Sequence, residues 1–134
     1  MLQSLHIVNF AIIEDTIIEL TDGATVFTGE TGAGKSILID ALAILLGRRE
    51  RTDLIRTGAE FFKVEGVFSA DDEIVSILSS FGFDAADSQI IITRKLNRSG
   101  RGICTINGDF CTVKQLEFIG RKLVRLHEQN DAIE

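Results

Sequence analysis

The sequence predicts an α/β fold with a substantial antiparallel part, and three observations carry that expectation. The first twenty residues contain two β-type runs, a glycine-rich loop separates a β-branched run from an apolar helix, and residues 89–108 alternate strand runs with turn clusters. With 134 residues the chain has the size of one domain, and no proline, repeat or linker marks an internal boundary. Hydrophobic residues make up 45% and charged residues 25%, a soluble globular balance that argues against a disordered tail or a membrane protein. The longest apolar stretch, residues 37–46, is broken by Asp40 and is too short to cross a bilayer; no basic run precedes an apolar one at the N-terminus. A cytoplasmic location is expected. The net charge of -6 means that any contact with nucleic acid has to be local.

Leu5, Ile7 and Asn9 alternate with their neighbours, and residues 16–20 form a second run, so the chain opens with a hairpin. Asp22-Gly23 supplies a turn before residues 24–28, a β-branched and aromatic run suited to a buried strand. A helix is predicted over residues 35–46, apolar on nearly every face and therefore expected to be buried, with Gly47 as its stop and Arg48 and Arg49 beside its negative end. Residues 48–59 read as a connection and 60–68 as a strand. Ser69 and Asp72 resemble a capping box for a short amphipathic helix ending near Gly82. Residues 89–96 and 103–106 make a hairpin across the Asn97-Arg98-Ser99-Gly100 turn, and Asn107-Gly108 is a type I′ turn signal. Thr112 and Gln115 cap a last helix carrying Val113, Leu116, Ile119, Gly120 and Leu123 on one side, with a strand start at residues 124–126.

Gly29-Glu30-Thr31-Gly32-Ala33-Gly34-Lys35-Ser36 fits the P-loop pattern G-x-x-x-x-G-K-[ST] at every fixed position. Glycines let the loop turn through positive φ and bring backbone N–H groups toward one centre, where a side chain would block a phosphate. The following helix adds its positive end. Lys35 then reaches the β- and γ-phosphates of a nucleoside triphosphate and the Ser36 hydroxyl ligates Mg²⁺, so ATP and Mg²⁺ are the expected ligands.

Hydrolysis also requires an acidic residue at the end of a buried strand. Asp40 follows an apolar run, but it lies one helical turn after Ser36 and reads as locally paired or capped. The run from Phe10 to Asp15 precedes the loop and reads as an edge strand with a solvated acidic end. Cys104 and Cys111 match neither a zinc site nor a disulfide framework and read as buried or half-buried free thiols. Arg94, Lys95, Arg98 and Arg101 surround the 97–100 turn without an acidic neighbour; a solvated basic hairpin and a DNA contact both stand as readings.

Residues 5–14 and 29–42, Ile55-Arg56-Thr57-Gly58-Ala59, Thr93-Arg94-Lys95-Leu96 with Gly100-Arg101, and Ile106-Asn107-Gly108 together resemble the start of the RecN family of bacterial recombination and DNA-repair ATPases, relatives of the SMC chromosome proteins. The resemblance covers essentially the whole chain. It implies the N-terminal lobe of an ABC-type ATPase head, a P-loop NTPase with a mixed sheet and an antiparallel β part. The complementary C-terminal lobe, beyond a coiled coil, would complete the head, and heads would pair head to head. It also implies a glutamine loop in which Gln129 contacts Mg²⁺ and the attacking water; Glu128 stands where the family has glycine. Residues 1–134 are thus expected to be one incomplete head domain, ending just after that loop and hydrolysing ATP negligibly by itself. Two other functions are weighed against this one: a small self-contained kinase or GTPase, for which the base-reading and lid motifs are missing, and a non-catalytic nucleotide-binding interaction module.

Overall fold

A computed structural model describes residues 2–19, 32–85 and 87–133, without the side chains of residues 32–35 and 125–133. The turn expected at Asp22-Gly23 and the strand expected over 24–28 lie outside the described residues. The strands are β1 (Leu2–Phe10), β2 (Ile13–Glu19), β3 (Phe61–Ser69), β4 (Gln89–Asn97), β5 (Gly102–Ile106) and β6 (Asp109–Phe110); the helices are α1 (Gly32–Leu45), α2 (Asp72–Ser80) and α3 (Val113–Ile133). The six strands form one sheet in the order β2-β1-β3-β4-β5-β6, and every described pairing is antiparallel.

Period-two alternation puts one face of this sheet against the helices. Ile18, Leu5, Gly66, Ile92 and Ile106 lie in one row across five strands, and Ile7, Val64, Arg94 and Cys104 lie in the next. All of these are buried. They meet Ala41, Ile44 and Leu45 of α1, Ile74 and Leu78 of α2, and Leu116, Ile119 and Leu123 of α3 in a single cluster. Each large side chain taken fully from water there contributes about 1.5–3 kcal/mol. Phe10 and Phe62 add an edge-to-face pair with centroids 5.1 Å apart. The opposite face carries polar cross-strand pairs such as Thr93 Oγ1 donating to Glu65 Oε2 at 2.8 Å.

Several expected elements shift by a residue or two for identifiable reasons. Asn9 adopts φ 54 and its N-terminal alternation stops there, so Phe10 instead of Asn9 enters the core; asparagine tolerates this left-handed conformation better than most residues. The cap of α2 is Asp71, whose Oδ1 accepts from Ile74 N–H at 2.9 Å, because Ser69 is still paired with Gln89 in the sheet. Helix α1 is not buried on all sides, and Ile39 is 54% exposed. Residues 124–126 continue α3 where a strand start was expected: the apolar spacing of Leu116, Ile119 and Leu123 is helical, and no glycine or proline follows to end it.

Other local signals are met as expected. Gly47 ends α1 at φ 115, and the Asn107-Gly108 turn has φ 50 and 87. The Thr112–Gln115 capping box is reciprocal, at 2.9 and 3.0 Å. Asn107 does more than turn the chain: its Oδ1 accepts from Ile91 N–H at 2.7 Å, and its own N–H donates to Ile91 O at 2.8 Å, pinning the hairpin tip to β4.

Helix α3 crosses the end of α1 at a close approach made by Gly120. A Cβ there would overlap the Leu46 carbonyl oxygen, which is backbone and cannot swing aside. Gly120→Ala should therefore lower stability by about 1–3 kcal/mol, despite the ~1 kcal/mol of helix propensity that alanine adds. Urea unfolding of the variant measures this, and equal or higher stability would mean that α3 does not seat here.

Candidate functional site

Helix α1 begins at Gly32, so Gly32, Ala33, Gly34, Lys35 and Ser36 of the P-loop pattern form its first turn and the start of the next. Backbone N–H groups in such a turn lack intrahelical acceptors and carry the positive end of the helix dipole. No acidic side chain lies in this turn to neutralise it. Ser36 is exposed there. Amide donors and a hydroxyl oxygen are the chemistry that a phosphate and a hard divalent cation require, so the described part of the motif fits both ATP and Mg²⁺. Gly29, Glu30 and Thr31 and the Lys35 side chain lie outside the described residues. Gln129 falls within α3 instead of on a loop, and its side chain is likewise outside the described ones.

The basic cluster around the 97–100 turn does not stand as one surface. Arg94 is 3% exposed, because period-two alternation from Ile90 and Ile92 directs it to the helix side of β4. Its Nη1 donates to Ile44 O at 2.8 Å and to Arg48 O at 2.7 Å, at the negative end of α1. Its Nη2 lies 3.5 Å from Glu50 Oε2. This withdraws Arg94 from any role in touching DNA. Arg98 donates from Nε to Ala59 O at 2.5 Å and from Nη2 to Arg56 O at 3.0 Å, bracing the preceding loop. Lys95 stacks over Phe61, 4.5 Å from the ring centroid. Arg101 is exposed.

Glu50 is the partner that sequence reading missed. Burial pushes its carboxyl above the usual carboxylate range, against the opposing pull of Arg94. Its Oε2 and Arg94 Nε are buried without a hydrogen bond. The signal available was the charged residue embedded in an otherwise apolar alternating strand, which requires a counter-charge on whatever packs against it. Asp40 is paired locally as expected, 3.9 Å from Arg48 Nη1. Asp15 sits on edge strand β2 and accepts from His6 Nε2 at 2.8 Å when that nitrogen carries the proton. Cys104 is buried and Cys111 half-buried, both free, and their sulfurs lie 3.2 Å apart. Among the described residues no group of three or more His, Cys, Asp or Glu is placed to hold a metal, and no helix is long and apolar enough to cross a membrane.

An antiparallel sheet with a P-loop helix on one face is an arrangement found in known proteins. The model of the AAA domain family matches residues 4–133. The chain belongs to that family. The DNA repair protein RecN of Bacillus subtilis (strain 168) is 40% identical to this AAA domain over 133 residues, covering 98% of this chain and 23% of that protein. The chain spans about a quarter of the length of such curated relatives. A solved structure from work on the ATP-driven dimerization and DNA-stimulated activation of SMC ATPases matches with TM-score 0.69 and 25% identity, over 88% of this chain and 76% of that chain. The SMC head domain from Thermotoga maritima matches with TM-score 0.65 and 26% identity, over 86% of this chain and 40% of that one. The AAA domain thus has the P-loop fold of SMC-type ATPase heads.

Two substitutions test the buried charge network. Arg94→Met leaves the Ile44 and Arg48 carbonyls and the Glu50 carboxylate without their cation, and should cost about 3–5 kcal/mol in urea unfolding; a loss below ~1 kcal/mol would mean that the network is solvated. Glu50 behaves in the opposite sense to a well-paired carboxylate. Above the ordinary pKa of 4.5, the unfolded chain releases a proton that the folded state retains, so stability contributed by this group falls as pH rises toward the raised folded value. Glu50→Gln should flatten that decline in urea midpoints measured between pH 4.5 and neutrality.

Proposed function

We propose that this AAA domain is the ATP- and Mg²⁺-binding N-terminal lobe of a RecN-like ATPase that acts in DNA double-strand break repair and recombination. The carrying observation is the acid-free N-terminus of α1, built from the second half of an intact P-loop pattern in a fold shared with SMC heads. RecN relatives and SMC-type structures favour this over a small self-contained kinase or GTPase.

In this reading the backbone N–H groups of Gly29, Glu30, Thr31, Gly32, Ala33 and Gly34 cradle the phosphates, and Lys35 supplies a mobile positive charge to the β- and γ-oxygens. Ser36 offers its hydroxyl to Mg²⁺, with Gln129 as the second group from this chain to face the ion and the attacking water. Mg²⁺ supplies charge neutralisation on the phosphates. The acidic strand end that polarises water comes from a complementary C-terminal lobe, and heads pair head to head. Lys95 and Arg101 are the basic residues left for a DNA contact, with Arg98 contributing only if it releases its carbonyls. A cytoplasmic, nucleoid-associated protein accords with this role.

Binding and hydrolysis separate in the test. Lys35→Ala should weaken binding of a fluorescent ATP analogue by roughly 100-fold or more, about 2.7 kcal/mol, with far-UV circular dichroism retained. The 134-residue chain should show no turnover of Mg²⁺-ATP above the Lys35→Ala background. Unchanged affinity in the variant would remove the phosphate assignment; Lys35-dependent turnover by the chain alone would remove the divided site.

A further inference from the structure

Cys104 on β5 and Cys111, just past β6, oppose each other across the terminal hairpin. The register pairs Ile106 with Asp109 and Thr105 with Phe110, which makes Cys104 and Cys111 the next opposed residues; Cys111 N–H donates to Cys104 O at 3.1 Å. Hydrogen-bonded cross-strand residues have Cα atoms about 5.5 Å apart, inside the roughly 4.4–6.8 Å that a disulfide spans. The side chains already converge. Cys111 Sγ donates to Cys104 Sγ at 3.2 Å, and Cys104 Sγ lies 3.0 Å from Cys111 O. The seven-residue spacing that reads as two unrelated thiols is the spacing of a two-residue hairpin turn flanked by three-residue arms.

Small solutes can reach the pair. A cavity of about 370 Å³ is lined by Glu50, Arg94, Cys104, Phe110, Cys111 and Thr112 among others, and Phe110 is 78% exposed. The hydrogen bond from Cys111 lowers the Cys104 thiol to about 7, with Arg94 adding to the effect against burial. The same bond, with burial, keeps Cys111 protonated by raising its pKa. One sulfur is therefore a thiolate nucleophile near neutral pH and the other its protonated neighbour.

We propose that Cys104 and Cys111 form a peroxide-sensitive dithiol that closes into an intramolecular disulfide. The Cys104 thiolate attacks one oxygen of hydrogen peroxide, forming an S–O bond as the O–O bond breaks and hydroxide leaves, which takes a proton to become water. Cys111 Sγ then attacks the Cys104 sulfenic sulfur. The S–S bond forms, the S–O bond breaks, and the Cys111 proton leaves with the hydroxide as a second water. The two thiols lose two electrons and peroxide gains them. In a compartment that keeps thiols reduced, the pair rests as the dithiol and closes only transiently. The site is separate from the P-loop, lying beyond the opposite end of α1.

The test reads the chemistry directly on the protein that carries this chain. Cleavage after Arg101 and Lys114 places both cysteines in one tryptic peptide, residues 102–114. After hydrogen peroxide and alkylation by iodoacetamide, this peptide should be lighter by two hydrogens than the reduced peptide and carry no alkyl group; dithiothreitol before alkylation should restore the doubly alkylated form. Cys111→Ser should let dimedone trap Cys104 as its sulfenic acid at about tenfold the yield of Cys111 in Cys104→Ser. Two alkylated cysteines after peroxide, or a bridge only between molecules, overturns the proposal with the wild-type protein alone. Equal dimedone yields in the two variants overturn Cys104 as the attacking sulfur.

Discussion

The arrangement of this domain depends on how the buried end of α1 is satisfied. A helix packed end-on into a core brings carbonyl oxygens that have no intrahelical donor, and leaving them dry costs about 1–3 kcal/mol each. Here the Ile44 carbonyl already accepts from Gly47 N–H at 3.1 Å, and Arg94 adds a charged donor to it and to the Arg48 carbonyl just past the helix. The Arg94 guanidinium reaches the carbonyls of Ile44 and Arg48 from the middle of β4, so the helix whose positive end carries the second half of the P-loop pattern has its negative end fixed by a cation from another element. Glu50 then partly offsets the charge that Arg94 carries into the core.

Fixing that end constrains what lies next to it. Leu45 packs over Gly66, where a side chain would collide with it, so the central strand β3 admits the helix at one position along its length. Gly120 lets α3 close on the Leu46 carbonyl, and Gly47 leaves room for Glu117 of the same helix. Helix α1 is thus held from the sheet by Arg94 and Leu45 and from the side by α3. Position and direction of its N-terminus follow from contacts at its far end, because a helix of 14 residues behaves as a rod of roughly 21 Å.

Much of this was legible in the sequence where the chemistry is local. Hairpin turns, the Thr112–Gln115 box, the Gly47 stop and the P-loop pattern each need particular residue types at fixed spacing, and the described structure has the first three where they were read. Arg94 was misread because it was grouped by sequence proximity with Lys95, Arg98 and Arg101. Its place in the Ile90, Ile92, Leu96 alternation was the better guide: a period of two assigns a face, and charge does not override it when a buried partner waits. Glu50 was hidden for the complementary reason, since it sits in an irregular connection with no period to assign it a side. The Asp71 cap shows a third limit. Ser69 and Asp71 both have capping chemistry, and only the length of β3 decides between them.

How the two ends of α1 can influence one another is settled by magnitudes. Lys35 and Ile44 are nine positions apart, roughly 14 Å along the helix axis. Unit charges at that separation interact by about 0.3 kcal/mol in water and about 1.2 kcal/mol at an effective dielectric of 20. A unit change of charge near Arg94, whether at Glu50 or at Cys104, therefore alters affinity at the proposed phosphate site by less than about tenfold for each unit of ligand charge. A larger effect would have to be positional. The Ile44 and Arg48 carbonyls are tied to Arg94 at 2.8 and 2.7 Å, and Arg94 and Cys104 are directly paired neighbours on β4 and β5. A shift of the guanidinium would move the end of the rod, and with it the first turn that carries Gly34, Lys35 and Ser36. Direct charge effects and displacement of the helix thus predict different sizes of response at the proposed phosphate site, and only the second grows with the rigidity of α1.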